Sequence, residues 1–250
     1  MTTDRPGRCV VLGVLDVTSA ACSDDDDWSA TERAVARGMA LAAAGADHVD
    51  VGSASCRPGA DRVDEAEEVR RVVPVVGELA AAGVAVSVDT TRARVAAAAI
   101  DAGAVLVDDV SGGHADPTMA DVVAATGVTW VLGHRRGPGR TVDAAASHRD
   151  VVREACGELR ARVDAALAAG VGTGQLVLGL DPADDLTLLA HLEEFVARGL
   201  PVLVGASCGD AAPLVTAVLA AQAGAWGVRV HDAAAAADAV RVVTAVRQAG

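Results

Sequence analysis

The chain repeats one pattern of apolar and polar positions seven times: an alanine-rich stretch ends on a glycine, and a short apolar run follows. The glycines concerned are Gly45, Gly83, Gly103, Gly127, Gly170, Gly199 and Gly224. A glycine directly after a helix is a frequent left-handed terminator, and about four to eight apolar or β-branched residues after it are typical of a buried strand. The pattern therefore predicts seven joints at which a helix ends and a strand begins.

An eighth apolar run, Cys9–Asp16, comes first in the chain and has no predicted helix before it. The other predicted strands are Asp47–Gly52, Val84–Asp89, Ala104–Asp109, Val128–His134, Leu176–Asp181, Pro201–Ser207 and Ala225–Asp232. Alanine-rich periodicity with charged residues on the opposite side predicts the helices between them. These lie at about 29–44, 63–82, 91–102, 117–126, 147–169, 187–198, 211–223 and 233–249.

The order of these elements predicts a (β/α)8 TIM barrel. The strands are nearly continuous in apolar character, which is typical of a parallel sheet buried on both faces. A length of 250 residues, of which 52% are hydrophobic, fits one such barrel, so we expect a single domain over residues 1–250. An open doubly wound sheet is the alternative, but Gly13-Val14-Leu15-Asp16 lacks the glycine-rich turn that usually follows its first strand.

Most of the predicted strands end on Asp, His or Ser. In a (β/α)8 barrel all carboxyl ends of the strands meet at one face, where the functional groups lie. The three loops that stand out by composition, 18–28, 53–62 and 135–147, all follow strand ends. The sequence therefore predicts a binding site at that face.

Charge and cysteine content exclude several classes of function. The formal net charge is −13, and all 21 basic residues are arginine, so a nucleic-acid partner is not expected. No apolar stretch is long enough for a membrane span, and residues 1–8 are polar, so we expect a soluble cytoplasmic protein. Five scattered cysteines without C-x-x-C spacing indicate neither a disulfide framework nor a zinc site.

Carboxylates end three of the predicted strands. Asp89 ends Val86-Ser87-Val88-Asp89, the pair Asp108-Asp109 ends the next strand, and Asp181 precedes Pro182. Each is a candidate helix cap, since Asp frequently accepts a backbone N–H at a helix start. Three carboxylates on one rim favour instead a site for a ligand rich in N–H donors, or for a cation.

Cationic groups end the last strand and occupy the second loop. Strand alternation places Arg229 and His231 on one face, directed into the predicted mouth. Arg57, between Cys56 and Pro58, is a further candidate, and together the three suit a phosphate or diphosphate. Surface exposure is the alternative for Arg229 and His231.

Two other polar features have simpler interpretations. The acidic run Asp24–Asp27 has the oxygen ligands that Mg²⁺ prefers, but such a run is more typical of a solvated loop. Cys56 and Cys208 stand near strand ends without a histidine at a spacing that indicates a nucleophile.

These motifs, in this order, resemble those of the dihydropteroate synthase family over essentially the whole chain. The correspondences are Val14–Thr18 with Ser23-Asp24 to N-V-T-P-D-S-F-S-D, Gly52–Gly59 to G-G-E-S-T-R-P-G, Ser87–Thr90 to S-V-D-T, Val107–Asp109 to I-N-D, His134 to M-H, Asp181-Pro182 to D-P-G, Ser207 to S-R-K, and Arg229–Asp232 to R-V-H-D.

The resemblance implies a (β/α)8 barrel with a pterin in its mouth. The family joins 6-hydroxymethyl-dihydropterin diphosphate to p-aminobenzoate and releases diphosphate with Mg²⁺. Asp89, Asp108 and Asp181 would contact the pterin, and Asp16 would lie near the metal. Arg57, Arg229 and His231 would hold the diphosphate, with Cys56 and Ser207 at further mouth positions. The resemblance also implies a homodimer through helices near the end of the chain.

Several positions depart from the family pattern. Asp16 and Asp108 stand where the family has asparagine, Cys56 where it has threonine, and Cys208-Gly209 where it has Arg-Lys. A carboxylate only accepts hydrogen bonds, whereas an amide also donates. The missing lysine removes a charge-assisted donor worth about 1.5–3 kcal/mol. These changes suggest a diverged paralogue that keeps a pterin or diphosphate site and has weak or lost condensation.

Three other functions remain open. An active dihydropteroate synthase, a transferase of folate biosynthesis, is the first. A pterin barrel of the corrinoid-dependent methyltransferase type is the second, although it has no need of the predicted diphosphate clamp. A non-catalytic barrel acting as a regulatory partner, as a homodimer or as a heterodimer with a true synthase, is the third.

Overall fold

The computed structural model describes residues 7–17, 27–53, 63–134, 148–181, 186–205 and 212–249. The strands are β1 (Val10–Asp16), β2 (His48–Gly52), β3 (Val86–Asp89), β4 (Leu106–Asp109), β5 (Thr129–Gly133), β6 (Leu176–Leu180), β7 (Val202–Gly205) and β8 (Gly227–Val230). The helices are α1 (Asp27–Ala43), α2 (Glu65–Ala81), α3 (Ala93–Asp101), α4 (Met119–Thr126), α5 (His148–Ala168), α6 (Leu186–Ala190), α7 (Leu192–Val196), α8 (Ala212–Ala223) and α9 (Ala233–Ala249). One 3₁₀ turn, Thr173–Gln175, precedes β6.

The eight strands form a closed barrel in chain order, and every neighbouring pair is parallel. The first strand pairs with the last, with Leu12 opposite Arg229, which closes the sheet. The predicted (β/α)8 barrel is therefore confirmed, and the alternative open sheet is excluded.

All seven glycines that were predicted to end helices have positive φ, between 74° and 116°. The glycine that ends α4, Gly127, is in the left-handed conformation, and its N–H bonds to the carbonyl of Val123. At Gly103 the packing is also tight, because a Cβ there would lie 2.7 Å from the Cβ of Ala80. The helix predicted at 187–198 is present as two short helices, α6 and α7, separated at His191.

The interior of the barrel changes character along its axis. Its lower part is filled by an apolar cluster drawn from five strands and the residue before β8: Val10, Leu12, Leu106, Val131, Val177, Leu203 and Trp226. The larger apolar clusters lie between the sheet and the surrounding helices. At the carboxyl ends of the strands the inward positions are a mixture of glycines and charged residues, among them Asp16, Asp89, Asp108 and Arg229. The apolar cluster therefore closes one end of the barrel, and the polar groups of the described strands lie at the other end.

Within the described ranges, no helix combines the length and the apolar character that crossing a membrane requires.

Candidate active site

Strand alternation directs a set of polar side chains into the mouth. On β2 the inward positions are His48, Asp50 and Gly52, and the register aligns Asp50 with Ser87 and Gly52 with Asp89. The next strand continues the row, with Asp108 opposite Asp89. Acids on three adjacent strands therefore form one layer two inward positions deep, with Asp50 one position below Asp89 and Asp108.

Arg229 reaches into this layer from β8. Its Nε lies 2.5 Å from Oδ2 of Asp50 and 3.2 Å from Oδ2 of Asp108. One of its terminal nitrogens donates a hydrogen bond to Asp89. The guanidinium is 19% exposed and the side chain of Asp50 is fully buried, so four charged groups meet at the floor of the mouth with little access to water.

Burial and mutual repulsion shift the protonation of these acids. Removal from water, opposed by Arg229 and reinforced by Asp50 and Asp16, raises the pKa of Asp89 to about 6. The same burial, with repulsion from Asp50, raises the pKa of Asp108 well above its ordinary value. Burial alone would lower the pKa of Arg229, but Asp89, Asp50 and Asp108 hold that pKa well above its usual range.

The structure brings three of the sequence-predicted site residues into direct contact: Asp89, Asp108 and Arg229. Arg229, which was predicted to hold a phosphate or diphosphate together with Arg57 and His231, lies among the acids in the structure. The physical reason is that a buried guanidinium is costly unless carboxylates neutralise its charge. Asp89 does not cap α3, because Arg92 occupies the N-cap position of that helix and the N–H of Ala93 bonds to Asp116.

The other described candidates lie near this cluster or outside it. Asp16 ends β1, half-buried, and its charge acts on Asp89. Asp181 follows β6 beside β7, since a Cβ on Gly205 would lie 3.6 Å from its Cγ. His231 is exposed and lines a surface pocket with Arg37 and the start of α9, so the structure does not bring it into the buried cluster.

Arg57, Cys56, Ser207, Cys208 and Gly209 lie outside the described residues. The same holds for the acidic run at 24–26, and nothing is described of the side chain of Asp27.

Asp50 is the main site residue that the sequence analysis missed. Its signal was available, because in His48-Val49-Asp50-Val51-Gly52 the alternation places a carboxylate on the inward face between two valines. Its Oδ1 has no hydrogen-bond partner among the described residues, and neither do Nδ1 of His48 and Oγ of Ser87. These three buried polar atoms on two neighbouring strands form an under-satisfied layer directly below the mouth.

Glu68, also missed, fixes the turn after Asp89. Its carboxylate accepts a hydrogen bond from the hydroxyl of Thr90 at 2.6 Å and forms an ion pair with Arg92. Arg92 in turn donates to the carbonyl of Val63 at 2.9 Å. A helix acid therefore holds the strand end that carries Asp89, and helical periodicity alone gave no reason to single it out.

Asp109 has a structural role that differs from that of its neighbour Asp108. It accepts the backbone N–H of Ser111 at 2.9 Å, the hydroxyl of Ser111 at 2.6 Å and the N–H of Gly113 at 2.7 Å. Burial raises its pKa, against these hydrogen bonds. Asp109 thus orders the loop after β4, while Asp108 points into the mouth.

Glycines keep the mouth open on several strands. A Cβ on Gly52 would lie 3.0 Å from Cβ of Asp89, tighter than ordinary contact. A Cβ on Gly179 would lie 2.8 Å from Cγ1 of Val131. Side chains at these positions would displace the acid or fill the space above it, so small residues here preserve a concave surface.

Comparison with known proteins places these features in one family. The family model described as "Pterin binding enzyme" matches residues 12–231. The dihydropteroate synthase of Mycobacterium leprae is 47% identical over 268 residues, covering 96% of this chain and 94% of that protein.

Solved structures agree. The dihydropteroate synthase of Xanthomonas albilineans with 4-aminobenzoic acid superposes with a TM-score of 0.86 at 38% identity, covering 99% of this chain and 95% of that one. The same enzyme in complex with 7,8-dihydropteroate gives a TM-score of 0.80 at 35% identity, with coverage of 99% and 95%.

Proposed function

This chain belongs to the dihydropteroate synthase family, and we propose that it is itself an active synthase that joins dihydropterin diphosphate to p-aminobenzoate. The observation that carries the proposal is the 47% identity to a dihydropteroate synthase over 96% of this chain. In the reaction a bond forms between the amine nitrogen and the methylene carbon of the pterin. The bond from that carbon to the diphosphate oxygen breaks, and the amine loses one proton.

The mouth has the chemistry that a pterin ring requires. A pterin presents several N–H donors on one edge, and buried carboxylates accept such donors strongly. Asp89 and Asp108, on neighbouring strands, supply carboxyl oxygens at the floor, and Asp181 supplies another from β6. Arg229 fixes Asp89 in place through a direct hydrogen bond, so the acceptor is positioned before the ligand arrives.

Mg²⁺ fits the donor set at one edge of this site. Among the described residues no three acidic, histidine or cysteine side chains form a metal cluster, so the protein alone would supply few ligands. Asp16 is a half-buried carboxylate near Asp89, and Mg²⁺ is typically held by one or two carboxylates together with substrate phosphates. When bound, the ion would neutralise charge on the departing diphosphate.

A second candidate function is supported by a separate observation. The chain contains no lysine, and Arg229 is already paired with three carboxylates, so less cationic charge is free for a diphosphate. Both features favour a diverged paralogue that binds a pterin and condenses it slowly or not at all.

One experiment separates the two candidates. Purified protein is incubated with dihydropterin diphosphate, p-aminobenzoate and Mg²⁺, and dihydropteroate is measured by mass spectrometry, while binding of the diphosphate substrate is measured by calorimetry. Product that accumulates over many turnovers supports the synthase. Binding without turnover supports the paralogue, and the absence of both would contradict the pterin site itself.

We also propose that the protein forms a homodimer through α8 and α9. Among the described residues, large apolar side chains are exposed on both helices: Leu214, Val215 and Leu219 on α8, and Val242 and Val246 on α9. The two helices that carry these side chains pack against each other. Contiguous exposed apolar surface is a frequent mark of a protein interface.

A further inference from the structure

Among the described residues, the floor of the mouth carries more negative charge than Arg229, the cation in contact with it, balances. Asp50, Asp89 and Asp108 all contact the guanidinium of Arg229, so full ionisation would leave a net charge of −2 in a cluster with little water. Buried charge without a partner is expensive, and a carboxylate in that position takes up a proton instead. The cluster therefore requires at least one neutral acid.

The contacts identify which acid is neutral. Arg229 donates hydrogen bonds to Asp50 and to Asp89, and both involve a charged donor and a charged acceptor. Asp108 lies 3.2 Å from Nε of Arg229, the longest of the three separations, and that nitrogen already donates to Asp50. Asp108 is the acid that the guanidinium satisfies least.

The other charged groups around Asp108 add to the same effect. Asp50 on β2, Asp89 on β3 and Asp109 on its own strand all repel a negative charge at this position. Further out, Asp16 on β1 and Glu68 on α2 act on Asp89. The inward positions of the neighbouring β5 are Val131 and Gly133, and the nearest imidazole below, His48, is itself driven toward its neutral form because burial lowers its pKa.

We propose that Asp108 keeps its proton at neutral pH and presents a carboxylic acid, rather than a carboxylate, to the ligand at the barrel mouth. A neutral carboxyl group offers one O–H donor and one carbonyl acceptor side by side. It therefore recognises a ligand edge that carries an acceptor next to a donor, as a pterin does. Asp89, held in its ionised form by Arg229, accepts only, so the two acids divide the recognition of one ring between them.

The presence of the proton on Asp108 can be tested without any ligand. Infrared difference spectra of wild type and Asp108→Asn at pH 7 should show a protonated-carboxyl C=O band that the variant lacks. Asp89→Asn and Asp109→Asn are the matched controls and should keep that band. Should Asp108→Asn not fold, the wild type labelled with ¹³C-aspartate serves instead, since the band must shift on labelling. No aspartic C=O band at pH 7, or a band that Asp108→Asn retains, overturns the proposal.

The role in recognition is tested by the pH dependence of binding, and this part rests on the proposed pterin ligand. An amide has the same shape as the neutral acid and the same donor and acceptor, but it does not titrate. Calorimetry with dihydropterin diphosphate should give similar Kd values for wild type and Asp108→Asn at pH 5. Above the midpoint of Asp108 titration, the wild-type Kd should rise about tenfold per pH unit relative to the variant, as one-proton linkage requires.

The two failures are distinguishable. A ratio of wild-type to variant Kd that stays constant between pH 5 and pH 9 overturns the recognition role of the proton, even if both proteins bind tightly. If neither protein binds the substrate while the infrared band is present, the proposed function fails and the proton assignment stands.

Discussion

At the scale of single residues, Arg229 is the group on which the mouth depends. It is the cation that the structure places in contact with Asp50, Asp89 and Asp108, and it is 19% exposed. Its removal leaves three carboxylates in mutual repulsion, so the cluster either takes up protons or opens to water. The primary role of Arg229 is therefore to balance the charge of these carboxylates.

Replacing this cation should destabilise the protein in a pH-dependent manner. Arg229→Gln should lower the free energy of unfolding by about 3–5 kcal/mol at pH 8, the range for breaking a buried ion pair. At pH 5 the loss should be smaller, because burial raises the pKa of Asp89 and of Asp108 and both are then largely protonated. Urea unfolding at both pH values measures it. Arg241→Gln, which breaks the exposed pair with Asp238, should cost less than about 1 kcal/mol, and equal losses in the two variants would contradict the account.

The raised pKa values predict how stability varies with pH. An acid whose pKa is higher in the folded protein binds its proton more tightly there, so the folded state holds more protons and unfolding becomes easier as pH rises. For Asp89 this loss runs from about pH 4, its ordinary range, to the folded value of about 6. For Asp108 it extends further upward, since burial raises its pKa well above the ordinary value.

The Asp108→Asn substitution should remove the part of this pH-dependent loss of stability that Asp108 causes. The variant should match the wild type near pH 4 and exceed it at pH 8 by roughly 1–3 kcal/mol, the range for an unsatisfied buried group. Chemical denaturation across pH 4–8 measures the difference. A difference that does not grow with pH would contradict a raised pKa for Asp108.

Part of this site could be predicted directly from the sequence. Asp89, Asp108 and Arg229 were predictable because strand alternation and parallel order fix which side chains meet at the carboxyl ends. The ion pairs among them were not predictable, because they depend on the tilt of the strands and on how far Arg229 reaches. Asp50 was missed because its strand was interpreted from its last residue, and Glu68 because it lies on a helix that appears amphipathic in the ordinary way.

At the scale of elements, the helix-to-strand joints explain why the fold was predictable. Each of the seven glycines provides a left-handed end to a helix, and the apolar run after it can lie only in the sheet. The single difference in helix pattern, α6 and α7 in place of one helix at 187–198, arises at His191, whose ψ of 22° departs from helical geometry. Composition gave no sign of that break, since leucine occurs on both sides of His191.

Of the seven helix-to-strand joints, the one between α3 and β4 should tolerate a side chain on its glycine least. Gly103→Ala would add strain at φ 116° and place a methyl group 2.7 Å from Ala80, whereas Gly83→Ala, at φ 83°, meets nothing within 4 Å. Thermal or urea unfolding should show a loss of about 2–3 kcal/mol for Gly103→Ala and about 1 kcal/mol for Gly83→Ala. Similar losses at the two sites would mean that backbone strain alone, without packing, determines the cost.

At the scale of the whole molecule, exposed apolar surface on α8 and α9 points to self-association. Val242 and Val246 are 63% and 67% exposed, one helical turn apart. Side chains of this kind on two packed helices are costly to leave in water. Burying them against the same surface of a second copy removes that cost on both copies, as two-fold symmetry allows.

A charge placed on this surface should separate the copies. Val242→Glu with Val246→Glu should convert a dimer to a monomer in analytical ultracentrifugation, without loss of helical signal in circular dichroism. Leu167→Glu, on α5 and 41% exposed, is the control and should stay dimeric. A wild type that sediments as a monomer at micromolar concentration would contradict the proposed interface.

The central claim is that the acid cluster at the barrel mouth binds a pterin for condensation, and steady-state turnover tests it most directly. Dihydropteroate and diphosphate are measured together for wild type, Asp89→Asn and the surface control Asp238→Asn. We predict equal amounts of the two products from wild type and Asp238→Asn. Asp89→Asn should show kcat/KM lower by roughly 10- to 100-fold, the worth of one charge-assisted hydrogen bond. No dihydropteroate from the wild type, or undiminished turnover in Asp89→Asn, would contradict the claim.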